Sequence, residues 1–425
     1  MNLKKNDNLG FWSSTSLVVG NMIGSGIFLL PASLALYGLV SILGWVFSSI
    51  GAILLAIVFG ELSKIYNKDP GGPYKFTRNV FGEFPAFLVA WGYWISIWST
   101  NTAIVVAFLG YLSVFIPSLN TSPLYSIIIG LFTIWTLTWI NSKEIKTIGF
   151  VQKITVVLKV IPIILVGIIG IFFIDLNNFY SLEIGNEFNF NSITVTTTLT
   201  FFAFLGMESA TIPSDKINKP NSIIKKATLY GTIFTIIIYI LSSISIMGII
   251  PPTTLAQSSA PFADAAEVIA GDYSRKVIAL GAIIATIGAL NGWILIQGQI
   301  PMAASKDKLF PKFFSKTNNN KSPVFGIILS SLLISILLLF SYSKTLVEAF
   351  TFMIKLSTLS VITPYLFSTA SLAVLSKRKF NRLFISFLAF IFSIWIIIGC
   401  GIETIKLGMI MLIAGIPFYF WFKRK

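Results

Sequence analysis

The sequence predicts an all-α integral membrane protein of about twelve transmembrane helices, organised as a single membrane domain over residues 1–425. Three observations predict it. The chain is 55% hydrophobic and only 11% charged, with a mean hydropathy of +0.85, whereas soluble domains carry about 25% charged residues. Apolar runs long enough to cross a bilayer, roughly 20 residues each, recur along the chain. Lysine and arginine fall on alternate connections, the pattern of the positive-inside rule.

The runs lie near 11–36, 38–62, 84–116, 123–141, 147–173, 193–213, 224–250, 275–304, 323–342, 346–376, 381–401 and 404–422. Several exceed a minimal span and are expected to tilt or project beyond the bilayer. Lys4 and Lys5 precede the first run, and no short apolar region with a small-residue cleavage site follows. The first run is therefore expected as a retained helix and not as a removed signal.

The connections then fix a sidedness. One set holds Lys4, Lys5, Lys64, Lys68, Lys75, Arg78, Lys143, Lys146, Lys153, Lys216, Lys219, Lys225 and Lys226. It continues with Lys306, Lys308, Lys312, Lys316, Lys321, Lys377, Arg378, Lys379, Arg382, Lys423, Arg424 and Lys425. The opposite set holds Arg275, Lys276, Lys344 and Lys406, so 25 of the 31 basic residues share one side. Both termini are then expected in the cytoplasm, as an even number of spans also requires. The net charge of +15 is spread over short loops. It reads as a topology signal with some attraction to anionic lipid, and not as a nucleic-acid surface. The opposite loops carry Asp175, Glu183, Glu187, Asp264, Glu267 and Asp272, ordinary solvated residues or a weak lure for cationic solutes. The single cysteine, Cys400, excludes a disulfide within the chain and a thiol metal cluster. There is no histidine, so any proton-linked step must use carboxylates, tyrosines or a desolvated lysine.

Within the first run, Gly20-Asn21-Met22-Ile23-Gly24-Ser25-Gly26 stands at mid-membrane. Glycine costs about 1 kcal/mol against alanine inside a helix, so the helix is expected to open there. Opened backbone at that depth must line a cavity or be buried in protein, with N–H groups facing an anion and carbonyls a cation. The competing reading is a Gly20/Gly24 small-residue face for helix packing. A nucleotide loop is disfavoured, since no strand precedes the glycines and no Gly-Lys-Ser/Thr follows. The sixth run is interrupted in turn at Phe204-Leu205-Gly206-Met207-Glu208-Ser209, with Pro213 beyond. Two interrupted helices five spans apart are the expected mark of an inverted repeat with a shared site. The repeats would be 11–173 and 193–376, leaving 381–422 outside them.

Three ionisable residues fall at membrane depth, where such groups are functional by default: Lys159, Glu208 and Lys355. The plain alternative is a snorkelling lysine or a locally paired glutamate. Aromatic residues form a second group: Phe202, Tyr93, Trp94, Trp98, Trp293 and Tyr365. Trp94 and Trp98 are one turn apart and are expected to pack in the core. Trp293 follows Asn291-Gly292, which predicts an adjustable backbone. An aromatic face at a midplane cavity suits an ammonium or guanidinium. Ser96, Asn101 and Ser357 add polar groups at the same depth.

These residues resemble the amino acid–polyamine–organocation (APC) transporter superfamily, and within it the bacterial arginine/agmatine antiporters and their ornithine/putrescine and lysine/cadaverine relatives, the basic amino acid/polyamine antiporters. The similarity covers nearly the whole chain. It is carried by Gly20 to Gly26 with Ile27-Phe28-Leu29-Leu30-Pro31, Pro70-Gly71-Gly72-Pro73-Tyr74 and Gly206-Met207-Glu208-Ser209-Ala210. Gly292-Trp293, Asp307-Lys308-Leu309-Phe310-Pro311 and Pro364-Tyr365-Leu366 complete it. The resemblance implies a five-plus-five inverted repeat with broken first and sixth helices, a LeuT-like fold. It implies that substrate carboxylate and α-amino groups bind around Asn21, Ile23, Ser25, Gly26 and Phe204. Ser96, Asn101, Phe202, Trp293 and Ser357 would meet or gate the rest of the substrate. Glu208, Tyr93 and Tyr365 match gate residues, and Tyr74 matches an inner-side residue linked to pH response. The chain departs where the antiporter has tryptophan and this sequence has Phe202, and where it has methionine and this sequence has Ile104. Lys159 and Lys355 are also departures. Lys159 resembles instead the fifth-span lysine of proton-coupled permeases, which stands in for a sodium ion.

The resulting expectation is a secondary active amino acid transporter of a bacterial inner membrane. It would work by alternating access and exchange a cationic amino acid, arginine, for its decarboxylated amine, agmatine. The alternative is a proton-coupled amino acid permease using Lys159. Lys159 would then couple by losing its proton beside Met22–Ile23; the rival role is a fixed structural cation on backbone carbonyls. A channel is disfavoured by the paired broken helices, and an enzyme by the want of a nucleophile–base pair. The expected partners are a small amino acid or amine substrate and membrane lipid, with a homodimer as candidate assembly, no nucleic acid, no metal and no cofactor.

Overall fold

The computed structural model describes residues 10–66, 71–143, 148–179, 189–212, 217, 220–320, 322–341, 343–376 and 379–423, without the side chains of Ser25, 148–158 and Asn221. Lys4, Lys5, Lys68, Pro70, Lys146, Glu183, Glu187, Pro213, Lys216, Lys219, Lys321, Lys377, Arg378, Arg424 and Lys425 lie outside the described residues, as does the side chain of Lys153.

The regular elements are helices. The first run is α1 (Phe11–Met22) followed by α2 (Ser25–Leu34), and the second is α3 (Val40–Ile65). A short helix, α4 (Pro73–Phe81), precedes the third span, α5 (Glu83–Leu112). A single turn, α6 (Ser118–Thr121), leads to α7 (Pro123–Lys143) and α8 (Ile148–Gly170). The sixth run is α9 (Phe190–Phe202) and a 3-10 segment, Met207–Thr211. Then come α10 (Pro220–Ile249), α11 (Pro252–Gln257), α12 (Pro261–Ala270), α13 (Asp272–Lys306) and α14 (Val324–Phe340). The chain closes with α15 (Leu346–Leu375), α16 (Phe380–Gly399) and α17 (Ile402–Lys423). Among the described residues, nine segments are long and apolar enough to cross a membrane, and Lys159–Phe173 and Val324–Phe340 are shorter apolar helices. The short helices α4, α11 and α12 carry no span signal, and the hydropathy pattern does not announce them. Pro73 opens α4 at the first helical position, where its missing N–H is harmless.

Burial separates centre from rim. In the spans Phe11–Tyr37 and Glu83–Leu112, 88% and 89% of the apolar window is buried, against 17% for α17. The first and third spans therefore line the interior, and the last span faces outward. Close approach to α9 relies on small residues: a Cβ on Gly44 of α3 would lie 2.7 Å from Thr196. The threonines of α9 stitch it to its neighbours, with Thr200 Oγ1 donating to the Gly44 carbonyl at 2.9 Å and Thr198 Oγ1 to the Ile396 carbonyl at 3.0 Å.

The alternation of basic loops is a real sidedness. Glu61, late in α3, meets Lys225 of α10 and Arg382 of α16, each at 2.5 Å. Lys75 of α4 meets Asp307, just after α13, at 2.8 Å. Lys423 of α17 pairs with Glu83 at the start of α5. Asn318 Nδ2 donates to the Ser142 carbonyl at the end of α7 at 2.6 Å. On the other face, Asn178 Nδ2 donates to the Gly248 carbonyl at 2.8 Å, and Arg275 pairs with Asp264 at 3.2 Å and Glu267 at 3.1 Å.

Candidate substrate site

Helix α1 winds as far as Met22. The chain leaves helical geometry at Ile23 (ψ 88°) and Gly24 (φ −125°, ψ −140°), and α2 restarts at Ser25. The opening thus falls inside the expected heptapeptide. The carbonyls above it are held by other spans. Lys159 Nζ, from a residue only 3% exposed, donates to the Gly20 carbonyl at 2.7 Å. Tyr239 Oη donates to the Met22 carbonyl at 2.7 Å. The first-turn N–H groups of α2 have no acceptor inside their own helix and lie at its positive end. The close contact at this break belongs to Gly26: a Cβ there would stand 3.3 Å from Ala203 Cα and 3.4 Å from the Phe202 ring. At Gly24 a Cβ would meet only Ala289, at 4.0 Å, so tight packing at Gly24 is not what demands glycine.

The second break follows Phe202. Its backbone donors are satisfied by the chain's own turns: Phe204 N–H to the Phe201 carbonyl at 3.0 Å, Leu205 to Phe202 at 3.1 Å, and Ser209 to Gly206 at 3.0 Å. Gly206 has φ 98°, a left-handed conformation in which a side chain is strained. A Cβ there would also come within 3.2 Å of the Asn21 backbone. The two breaks therefore touch twice, at Gly26–Ala203 and at Asn21–Gly206. Just beyond, the fully buried Glu208 accepts hydrogen bonds from Tyr93 Oη at 2.7 Å and Tyr365 Oη at 2.8 Å. Tyr93, Glu208 and Tyr365 come from three separate elements and form one closed layer.

Asn101 marks a second level. On α5 it lies eight residues beyond Tyr93, about 12 Å along the helix and away from the basic face. Its Nδ2 donates to Gln297 Oε1 at 2.7 Å, and Gln297 in turn donates to the Ile327 carbonyl at 3.1 Å and Ser331 Oγ at 2.9 Å. Asn101 Oδ1 is buried and accepts no protein hydrogen bond. Trp293 precedes Gln297 by one turn of α13 and is 7% exposed. Phe202 meets Phe350 edge to face at 6.2 Å.

Several expectations need correction. Phe204 does not turn its ring to the site; the ring lies between Trp45 and Tyr239, at 5.8 Å from each. Ser357 Oγ donates to the Ser96 carbonyl at 3.0 Å and contacts Thr100 Oγ1 at 2.6 Å, while Ser96 Oγ donates to the Tyr93 carbonyl at 2.7 Å. Both serines lie at the expected level, but their hydroxyls tie α15 to α5 and bond within α5. Asn291 and Gly292 are interior to the continuous α13, so Trp293 stands on regular helix. Trp94 packs in the core as expected, with Trp98 at 6.1 Å and its indole N–H on Ser330 Oγ at 2.8 Å. Ile23 is wholly buried, Asn21 is 7% exposed, and the side chain of Ser25 lies outside the described residues. Lys355 lines a cavity on the face opposite the basic loops. Tyr239 and Gln297 were not anticipated, although each is a polar side chain in an apolar run, the available signal.

On the basic face Tyr74 Oη donates to Asp307 at 2.9 Å. Burial, and then the adjacent Asp307 carboxylate, push the pKa of this phenol above its ordinary value. Tyr74 thus acts as a hydrogen-bond donor and does not itself titrate near neutrality.

Two interrupted helices packed against each other inside a bundle of apolar helices are the arrangement of a small-molecule membrane transporter. Comparison with known proteins places the chain. A family profile described as "Amino acid permease" matches residues 9–420, and the chain belongs to this family, within the APC superfamily. It is 31% identical to the putrescine transporter PotE of Haemophilus influenzae, over 98% of this chain and 97% of that protein. It is 30% identical to a putative arginine/ornithine antiporter of Bacillus subtilis, over 96% of each. It is also 30% identical to an arginine/agmatine antiporter of Chlamydia felis, over 98% of this chain and 90% of that protein.

Proposed function

We propose that the protein is an antiporter that exchanges a cationic amino acid for its decarboxylated amine, arginine for agmatine. The observation that carries the reading is Asn101 Oδ1, a buried acceptor with no protein partner. Other buried side chains among the described residues are also left open, but this acceptor stands on α5 at the level of Trp293 and Gln297, where it fits an arriving cationic head group. At the other end, the first-turn N–H groups of α2 suit a carboxylate. Phe202, against Gly26, offers a ring face to a cation, weaker than the tryptophan of the antiporter pattern. The names of the relatives, which speak of putrescine, arginine, ornithine and agmatine, support a cationic pair.

In this reading the chain has twelve spans in a bacterial inner membrane, with five-plus-five inverted repeats and α16 and α17 outside them. The basic face and both termini are cytoplasmic. Glu208 with Tyr93 and Tyr365 is the gate closed toward the cytoplasm, backed by Tyr74 and Asp307. The alternative, a proton-coupled permease, gains nothing from Lys159, whose bond to the Gly20 carbonyl is the arrangement expected of a fixed structural cation.

Counterflow in proteoliposomes decides. Vesicles loaded with arginine should accumulate labelled arginine, and external agmatine should compete, with ornithine/putrescine and lysine/cadaverine as comparison pairs. Net uptake driven by a pH gradient into empty vesicles would overturn exchange in favour of the permease. Simple collapse of a gradient would indicate a channel.

A further inference from the structure

We propose that the cavity opposite the basic face is an entry site that recognises the carboxylate of an incoming amino acid, with Lys355 as the selecting group. The inference rests on the exchange reading and assigns it a device for telling the amino acid from its amine.

The cavity has a volume of about 1220 Å³ and is bounded by α2, α11, α15 and the start of α17. Ligand pockets of roughly 300–1,000 Å³ hold drug-sized molecules, so an amino acid enters with its water. Its charges are arranged by depth. Glu348 stands in the first turn of α15, where it accepts from Thr345 N–H at 2.9 Å and Thr345 Oγ1 at 3.1 Å. Glu403 is exposed in the first turn of α17. Lys344, over the Phe352 ring at 5.7 Å, is at the same rim. Lys355 follows Glu348 by seven residues on α15, about 10 Å deeper.

Lys355 takes no part in the ion pairs among the described residues, and Glu348 and Glu403 are the carboxylates among the lining residues of its cavity. An ammonium two turns of α15 from the Glu348 carboxylate, both lining one cavity, is a complement to one class of solute. A cationic amino acid lies along it with its carboxylate toward Lys355 and its side-chain cation toward Glu348 and Glu403. The decarboxylated amine has a cation at each end and brings one of them against Lys355. Lys355 therefore lowers the KM of the amino acid on this face relative to that of the amine. It cannot change the equilibrium of exchange, which the solute gradients set. It changes which solute loads first from this side.

The test compares KM values on the two faces of oriented vesicles. For wild type, the ratio of amine KM to amino acid KM should be larger on the cavity face than on the basic face. Lys355→Gln should lower that ratio on the cavity face about tenfold, leave it unchanged on the basic face, and Lys355→Arg should restore it. A ratio that does not move, or that moves equally on both faces, overturns the proposal, since a merely structural lysine would affect both. A second measurement keeps Lys355 in place. In Leu36→Cys, Cys400→Ser, the new thiol lines the cavity, and arginine should slow its labelling by a methanethiosulfonate reagent at lower concentration than agmatine does. Equal protection, or better protection by agmatine, overturns the proposal. A wild-type protein that exchanges no cationic pair overturns the functional reading instead, and the labelling comparison still decides the cavity.

Discussion

Both interruptions expose backbone polar groups at membrane depth, but their partners come from different places. At the first, Ile23 and Gly24 N–H turn back on the Val19 and Met22 carbonyls at 2.8 and 2.9 Å, and the Gly20 and Met22 carbonyls in addition accept from Lys159 of α8 and Tyr239 of α10. At the second, the N–H groups of Phe204, Leu205 and Ser209 turn back on the preceding residues of the same segment. The first break is therefore tied to two distant spans as well as to its own turn. The second is self-contained and instead supplies a side chain, Glu208, to which α5 and α15 attach through their tyrosines. One break is held by the bundle; the other holds it.

Substitutions can separate these two designs. The largest effect is expected at Lys159→Ala. It removes a charged hydrogen bond, worth about 1.5–3 kcal/mol, and leaves a buried carbonyl unpaired. Substrate affinity should fall roughly 10- to 100-fold, with exchange and any gradient-driven uptake lost together. Binding and counterflow on the purified protein check it. If exchange survived while pH-gradient-driven uptake vanished, Lys159 would be a coupling group and the first break a proton-linked switch. Undiminished pH-gradient-driven uptake in Lys159→Ala would remove Lys159 as a coupling group, and with it the permease reading that rests on Lys159.

Next in size is Glu208→Gln, which keeps the shape but offers one carbonyl where two acceptor oxygens served two tyrosines. Losing part of that buried network costs about 1–3 kcal/mol. Exchange should slow about tenfold or more, while affinity measured from the cavity face stays within about threefold. Weakened affinity with unaltered exchange would refute a gate at this break. Trp293→Ala should remove about 1–2 kcal/mol of stacking and cation–π contact, roughly tenfold in affinity. Unchanged affinity for every transported solute would take Trp293 out of the site. The smallest effect belongs to Tyr239→Phe, a single neutral hydrogen bond of about 1 kcal/mol, or some fivefold in affinity. A loss larger than that of Lys159→Ala would reverse the ranking of the two supports of the first break.

The amino-acid sequence by itself determined what depends on local composition and spacing. Bilayer-length apolar runs, the basic side, the two interruptions and the isolated Lys159 and Glu208 all follow from which residues stand next to which. Hydropathy and helix propensity act over one or two turns, so they are legible in one dimension. Even there, short helices such as α4 and α12 stayed hidden, because they lack the length that makes a span visible. Only the tertiary structure decided pairings between residues far apart in the chain. It set Tyr239 on the Met22 carbonyl, 217 residues away, and Gln297 on Asn101, 196 away. It turned Phe204 into the core, engaged Ser357 in joining α15 to α5, and set Lys355 in the lining of an outer cavity. The physical reason is that a buried polar group must find a partner wherever the packed bundle brings one. Which partner that is depends on how helices lie against each other, and no local stretch of sequence encodes that.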